Sequence, residues 1–446
     1  MKIFLSEILK RWTSSEVLFW RRVDECRKLK STDECLSKRD FFCAIWRMKI
    51  LTLIYTMYLL TNFNFNKALK ALLFIFISIA LIIGIQKYYQ GNLSFWGHTQ
   101  THYNNFLIFK SSYRHLIHHQ NLYDLYEKEY GDFYKYSPTF AVFMAPFSIL
   151  PDLPGLLLWN ILNCVFLFCG VILLPKLSQK LKFFILAFSI VELITSLQNQ
   201  QSNAMIAGFL LLAFSLIEKN KIVLSTLLIM LCFYTKLTGI LACIFFLFYD
   251  QKLKFILWLF FWALVLGFLP LLLISSTQLI DQYQNWFILL TNDHTQSAGV
   301  SVYGILQSWT HCDLSKSGIL IIGAVLFLLP LINTGRYKDY FFRLHYLCSL
   351  LIWIVIFNHK AESSSYILAF VACAIWFFTR PKSTLSISLF VLCIVLISLS
   401  PTDLFPKFIR NQYVQPYNLK ALPAVICWIM IFFNLMSRKE IDEQNI

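Results

Sequence analysis

Apolar residues in this chain come in blocks that cross, or nearly cross, a hydrocarbon core about 30 Å thick. The blocks lie near 68–87, 154–174, 182–197, 202–217, 221–234, 237–250, 253–275, 316–334, 344–358, 364–379, 383–400 and 420–437. A helix of about 20 residues spans such a core, and several blocks are shorter than that. The pattern predicts an all-α polytopic membrane protein with about twelve transmembrane helices. Residues 221–250 are also readable as one long kinked element instead of two spans. Residues 137–151 are apolar too, but Pro138, Pro146 and Pro151 interrupt them. Proline removes a backbone donor and clashes with the preceding turn, so this stretch predicts a membrane-surface or re-entrant helix.

The polar positions between the blocks give an orientation. Six basic clusters fall in alternate connections: Lys176/Lys180/Lys182, Lys219/Lys221, Lys252/Lys254, Arg336/Lys338/Arg343, Arg380/Lys382 and Arg438/Lys439. Lys and Arg concentrate in short cytoplasmic loops. All six share one face if the chain starts inside, which puts both termini in the cytoplasm. The opposite face then carries the long connections, near 88–153, 276–315 and 401–419, with short ones at 198–201 and 358–363. Long loops carry function more often than short ones, so the working site is expected on the outer face.

The start of the chain differs. Residues 1–47 hold 18 of the 63 charged residues and mix both signs. Thr13 to Glu16 has the form of a capping box ahead of an amphipathic stretch. We expect three regions: a charged cytoplasmic segment with an interfacial helix (1–67), a multi-span domain (68–437, its first outer loop about 88–153) and a cytoplasmic tail (438–446). Met48 opens a hydrophobic stretch of its own and is an alternative native start.

Composition agrees with a lipid setting. The chain is 58% hydrophobic and only 14% charged, whereas a soluble domain has roughly a quarter of its residues charged. The net charge of +15 would point to nucleic acid in a soluble protein. Here the basic loops account for it and no nucleic-acid-binding motif is present, so membrane lipids, not nucleic acid, are the expected surroundings.

The first outer loop carries the densest chemistry, with many Tyr, Phe and His and the acids Asp124, Glu127, Glu129 and Asp132. Aromatic belts mark membrane interfaces, but a belt does not explain clustered ionisable groups. Lys236 sits between two apolar runs, and a lysine at membrane depth is expensive and usually functional; snorkelling to the interface is the plainer alternative. Asn358, His359, Lys360, Glu362 and Ser363 form a polar turn between two spans. His359 and Lys360 suit phosphate contact and Glu362 suits a sugar hydroxyl or a base role, whereas a solvated hairpin is the ordinary reading. His115, His118 and His119 have helical spacing, but no matching acid completes a ligand set, so no metal is expected. Glu192 is a charge with no evident partner inside a span.

Tyr136-Ser-Pro138-Thr-Phe, followed by Ala145-Pro146-Phe147 and Leu150-Pro151, resembles glycosyltransferase family 87. Gln201-Ser-Asn203, opening a span, and Lys236 after the next one resemble later marks of that family. The resemblance covers about 90–250 well and the C-terminal half weakly. It implies the C-type glycosyltransferase architecture in a bacterial inner membrane. It also implies a hexosyl, mannose-like transfer to a lipid or glycan acceptor. The donor would be a polyprenyl-phosphate sugar, a substrate, with no cofactor. In such a reaction a carboxylate takes the acceptor proton and a cation steadies the leaving phosphate. The resemblance points to Tyr136, Gln201, Asn203 and Lys236 as substrate-binding residues, and the polar turn adds His359 and Lys360. The sequence departs from the family where an Asp is followed by Phe, with Tyr eighteen positions on: Asn105-Phe106 and Tyr123 stand there. Asn is no general base, which leaves three readings. Asp132, Asp124 or Glu362 substitutes as the acid, Asn105 only orients the acceptor, or the protein is inactive as a transferase. The 276–315 connection holds Asn292-Asp293-His294 but no Asp-x-Asp, in keeping with a lipid-phosphate donor. A lipid-linked-glycan flippase or transporter and a glycan polymerase are the rival classes.

Overall fold

A computed structural model describes residues 64–437, except 96–97, 293–297 and 313. The N-terminal segment with its capping box, the question of Met48, Asp293 and His294, and the C-terminal tail all lie outside the described residues.

All twelve apolar blocks carry helix, and their lengths differ from the expectation. Among the described residues three helices are long and apolar enough to cross a membrane: α1 (Phe65–Tyr89), α5 (Asp152–Ile172) and the stretch Lys252–Leu272 that begins with α10 (Lys252–Gly267). The block near 182–197 is two helices, α6 (Gln179–Phe188) and α7 (Ile190–Gln198), bent by 45°. The remaining blocks form shorter apolar helices. A helical membrane protein is therefore observed, while its count of crossings stays an expectation.

Between α1 and α5 the loop is partly ordered. A two-stranded antiparallel hairpin, β1 (Asn92–Phe95) and β2 (His98–Thr101), precedes α2 (Asn104–Ile117). The proline-broken stretch gives two short helices, α3 (Pro138–Phe143) and α4 (Ala145–Ile149), neither of span length. Ser137 caps α3 by accepting from the Phe140 amide at 3.1 Å, and Pro138 at the first helical position needs no donor.

The interior is built on α5, α8 (Asn203–Glu218), α14 (Tyr340–Ile356) and α15 (Tyr366–Phe378). Every residue of α14 except Arg343 is buried. Helices α5 and α8 cross backbone to backbone: a Cβ on Gly208 would lie 2.3 Å from the Phe166 carbonyl carbon, and one on Gly170 would lie 2.9 Å from the Gly208 oxygen. Small residues permit such approach between helices in lipid. By contrast α10 and α13 (Lys316–Leu328) expose Phe260, Phe261, Ile321 and Ile322. Apolar side chains left outward on an apolar helix suit contact with lipid.

Region 221–250 is two elements. Helix α9 (Ile222–Thr235) stops at Lys236, whose backbone is extended, and a 3₁₀ segment Leu237–Phe248 folds back along it. A Cβ on Gly239 would lie 2.5 Å from the Cys232 carbonyl carbon, so only glycine permits this hairpin. Lys236 is its apex.

The connections segregate to two ends. At the basic end Tyr340 donates to the Pro175 carbonyl, Lys176 lies over the Tyr340 ring, Arg336 donates to the Asn434 and Ser437 carbonyls, and Arg343 pairs with Glu218. At the other end lie the first loop, the 198–203 turn, Lys236, and the 358–366 turn. The last packs on the segment before α12 (Val302–Thr310): the Val300 amide donates to the Ala361 carbonyl at 2.8 Å.

Candidate active site

The polar end is organised by one turn. Helix α7 ends at Asn199, and Gln200 adopts a left-handed conformation with φ +50. Few residues other than glycine adopt this region, so something must hold it. The Trp159 indole of α5 donates to the Gln200 carbonyl at 2.7 Å, and the Gln200 side chain donates to the Gln198 carbonyl at 2.5 Å. The reversal delivers Gln201 and starts α8 at Asn203.

From there a chain of side chains crosses the site. Lys236 Nζ donates to Asn203 Oδ1 at 2.6 Å, Asn203 Nδ2 donates to Gln201 Oε1 at 2.8 Å, and Gln201 Nε2 donates to Glu362 Oε2 at 2.6 Å. An ammonium only donates and a carboxylate only accepts. The two ends therefore fix both amides in one sense. A cation and an acid thus sit at opposite ends of one relay, presented by the α9 hairpin, the start of α8 and the turn before α15. Lys236 is half-buried and Glu362 is exposed. Burial pulls the Lys236 ammonium down to about 8, and the charge of Glu362 opposes that fall. Desolvation disfavours the charged form and a nearby opposite charge favours it.

Tyr136 borders this relay. Burial, then the charges of Glu362 and Asp132, hold its hydroxyl above the usual range. Its ring meets Phe109 edge-on at 4.8 Å, and its carbonyl accepts from Tyr123 at 3.0 Å. The next residues of the motif fasten the loop. Ser137 Oγ donates to the Tyr234 carbonyl at 2.5 Å, two residues before Lys236, and Thr139 Oγ1 donates to the Leu266 carbonyl at 2.8 Å.

Asn105 reaches the same turn from α2. Its Nδ2 donates to the Asn199 carbonyl at 2.9 Å, a bond that no carboxylate makes. Helix α2 is itself locked to α5 by Lys110, which donates to Asp152 at 2.6 Å and to the Leu150 carbonyl at 2.6 Å.

The structure thus brings together Asn105, Tyr136, Gln201, Asn203, Lys236 and Glu362. His359 and Lys360 share the turn with Glu362, and its backbone at His359 abuts Gly299. The other two acids differ. Asp132 is exposed and accepts from the Phe133 amide at 2.7 Å, though its charge reaches Tyr136. Asp124 is exposed and accepts from Asn121 at 2.7 Å, in a part of the loop tied to α11 (Ser276–Asn292) by Asn285. His115 pairs with Glu129 at 3.1 Å and stacks on Tyr126 at 3.8 Å.

Glu192 has a partner after all. Lys420, 228 residues away, donates to it at 3.3 Å, and neither side chain reaches solvent appreciably. Lys420 carried no signal because it opens an apolar block, where a lone basic residue reads as a loop charge.

The model of the family described as Glycosyltransferase family 87 matches residues 133–401. That range contains Tyr136, Gln201, Asn203, Lys236, His359, Lys360 and Glu362, and Asn105, Asp124 and Asp132 precede it. No curated protein matches the chain.

Proposed function

Since the matched region spans more than half of its length, the chain belongs to glycosyltransferase family 87, and from that premise we propose that it moves a mannose-like hexose from a polyprenyl-phosphate carrier to a lipid or glycan acceptor. The observation that carries this reading is the relay joining Lys236 to Glu362 through two amides. In the reaction the acceptor hydroxyl gives its proton to Glu362 as its oxygen attacks the anomeric carbon. The bond between that carbon and the phosphate oxygen breaks, and the polyprenyl phosphate leaves with the bonding pair. A hydroxyl attacks well only when its proton is removed in the transition state. Lys236 faces the charge that develops on the leaving phosphate, and a fixed cation in a poorly hydrated site stabilises it strongly. Tyr136, Gln201 and Asn203 orient the sugar, while His359 and Lys360 contact the phosphate from the neighbouring turn. Asp132 and Asp124 are set aside as bases because neither joins the relay, and Asn105 orients the site through the Asn199 carbonyl.

No cofactor is required for this chemistry, since the carrier phosphate is both activator and leaving group. The basic end faces the cytoplasm of a bacterium and the relay faces outward, by the rule that places Lys and Arg inside. The chain crosses the inner membrane about twelve times.

The test supplies radiolabelled polyprenyl-phosphate mannose or glucose to proteoliposomes holding the purified protein with candidate lipid and glycan acceptors. Covalent label in an acceptor, lost in Lys236→Gln, supports the reading. Transport of label without covalent transfer favours a lipid-linked-glycan transporter, the class with which the buried Glu192–Lys420 pair is also compatible.

A further inference from the structure

Beside the relay lies a second polar assembly that takes no part in the chemistry above. Glu192 is fully buried on α7, in the bent helix pair. Lys420, 6% exposed, precedes helix α16 (Leu422–Met436). Its ammonium lies 3.3 Å and 3.5 Å from the two Glu192 oxygens, and 5.2 Å from the centre of the Tyr366 ring. Its shortest bond goes elsewhere: Nζ donates to Ser363 Oγ at 2.6 Å, with the Ser363 carbonyl at 3.4 Å. Ser363 is the residue after Glu362.

A buried ion pair is weak evidence for stability, because desolvation offsets most of the attraction. What this pair adds is aim. The turn carrying Glu362 is held on one flank by Val300, which donates to the Ala361 carbonyl at 2.8 Å and accepts from the Tyr366 hydroxyl at 2.8 Å. Among the described residues only Gln201 and the long Ser364 contact at 3.4 Å reach the Glu362 carboxylate itself, and that carboxylate is exposed. Lys420 supplies a second hold on the turn, at Ser363. Its shortest bond goes to the side chain of the residue after the base, while Glu192 keeps it charged and in place. A general base works only within hydrogen-bond reach of the proton it takes, and misplacement by about 1 Å is enough to lower a rate by about 10²-fold.

We infer that Lys420 and Glu192 are positioning residues that hold the Ser363 turn so that Glu362 faces the acceptor hydroxyl. This rests on the assignment of Glu362 as the base. It assigns work to a residue, Lys420, that lies outside the stretch matched by the family.

The experiment compares Ser363→Ala, Lys420→Met and the double variant Glu192→Gln/Lys420→Met in full-length protein. Lys420→Met alone strands a buried carboxylate and is expected to lower folded yield. The double variant removes both charges and restores it. Two quantities are read on the folded material. The first is sugar transfer: kcat is expected to fall at least tenfold in the double variant with KM for the donor nearly unchanged, and severalfold in Ser363→Ala. The second is independent of activity. A cysteine at position 361, buried in the folded turn, is introduced by Ala361→Cys in a Cys312→Ser background. Its modification by a water-soluble maleimide is followed by peptide mass mapping. The turn is expected to open, with labelling at least fivefold faster in the double variant and faster in Ser363→Ala. Recovery of wild-type transfer and wild-type protection in the double variant would overturn the inference, because charge neutrality alone would then be the pair's role. If the unsubstituted protein transfers no sugar, the proposed reaction fails. The labelling rates still decide whether the brace exists.

Discussion

The arginines of the basic end and Lys236 at the other end are treated in opposite ways. At the basic end Arg343 meets Glu218 through two bonds of 2.6 Å each and also donates to the Tyr337 carbonyl, while Arg336 meets Asp339 at 2.9 Å and two backbone carbonyls. These guanidinium groups are spent on the protein. At the other end Lys236 makes one side-chain hydrogen bond among the described residues, to a neutral amide oxygen. The acid that would match it is held two amides away. An ammonium carries three donors, so donors remain for something that is not protein. Fully matched ions hold a fold together. On the proposed reading, a cation and an acid kept apart by oriented amides receive the ligand between them.

The contrast breaks most sharply at the acid. Replacing Glu362 by Gln keeps shape and the bond to Gln201 but removes the base, and transfer should fall about 10²–10⁴-fold, the usual contribution of a general base. Folded yield should hold, since the side chain is exposed. Transfer measured per folded molecule checks this, and unchanged turnover would return the role to Asp132 or Asp124. Lys236→Gln should lower transfer about 10²–10³-fold, the loss typical when one donor to a developing charge is removed, again with intact expression. Arg343→Gln is the control from the other end. It strands Glu218 with both partners largely buried, and should destabilise the fold by about 3–5 kcal/mol while transfer per folded molecule stays the same. Thermal unfolding in detergent alongside transfer separates the two outcomes.

How much of this was visible beforehand follows from the range of each interaction. The helical blocks were legible because apolar runs in lipid must bond internally, and the two sets of connections were legible because basic residues alternate along the chain. Lys236 and Glu362 stood out as polar residues beside apolar runs, and Gln201 and Asn203 through the family resemblance. Their joining was not legible, since Gln201 and Glu362 meet across 161 residues. Nor was Lys420, whose meaning depends on Glu192 at 228 residues' distance. Helix lengths were also missed. Near 237–250 the backbone tightens to 3₁₀, and Cys393–Leu399 widens to a π-helix. Hydropathy does not distinguish these from α-helix. The β1–β2 hairpin was missed because only β1 alternates, over four residues, and β2 is polar throughout.

A smaller effect concerns pH. Lys236 is cationic below about 8 and neutral above it. A role that requires the cation is therefore fully present at lower pH and lost as pH rises through that value, about tenfold for the first unit beyond it. The pH profile of kcat for the donor in proteoliposomes measures this. Lys236→Arg, which stays charged, should flatten the alkaline limb even if its overall rate is lower. An alkaline limb that Lys236→Arg leaves in place would assign the titration to another group.

The smallest effect comes from Asn105, where the family has an acid. Restoring that acid with Asn105→Asp should not raise transfer. Asn105 donates to the Asn199 carbonyl at 2.9 Å, and a carboxylate put there would face another acceptor. Such a loss is worth about 1–3 kcal/mol when the groups are shielded from water. This site is partly open, so a severalfold drop is expected. The carbonyl belongs to the turn that presents Gln201, so the change should appear as weaker binding with kcat nearly kept. Asn105→Ala, which removes the donor without adding charge, should sit between the two proteins. If Asn105→Asp instead increased transfer tenfold or more, the acid lost at this position would be the better base, and Glu362 would be only its substitute.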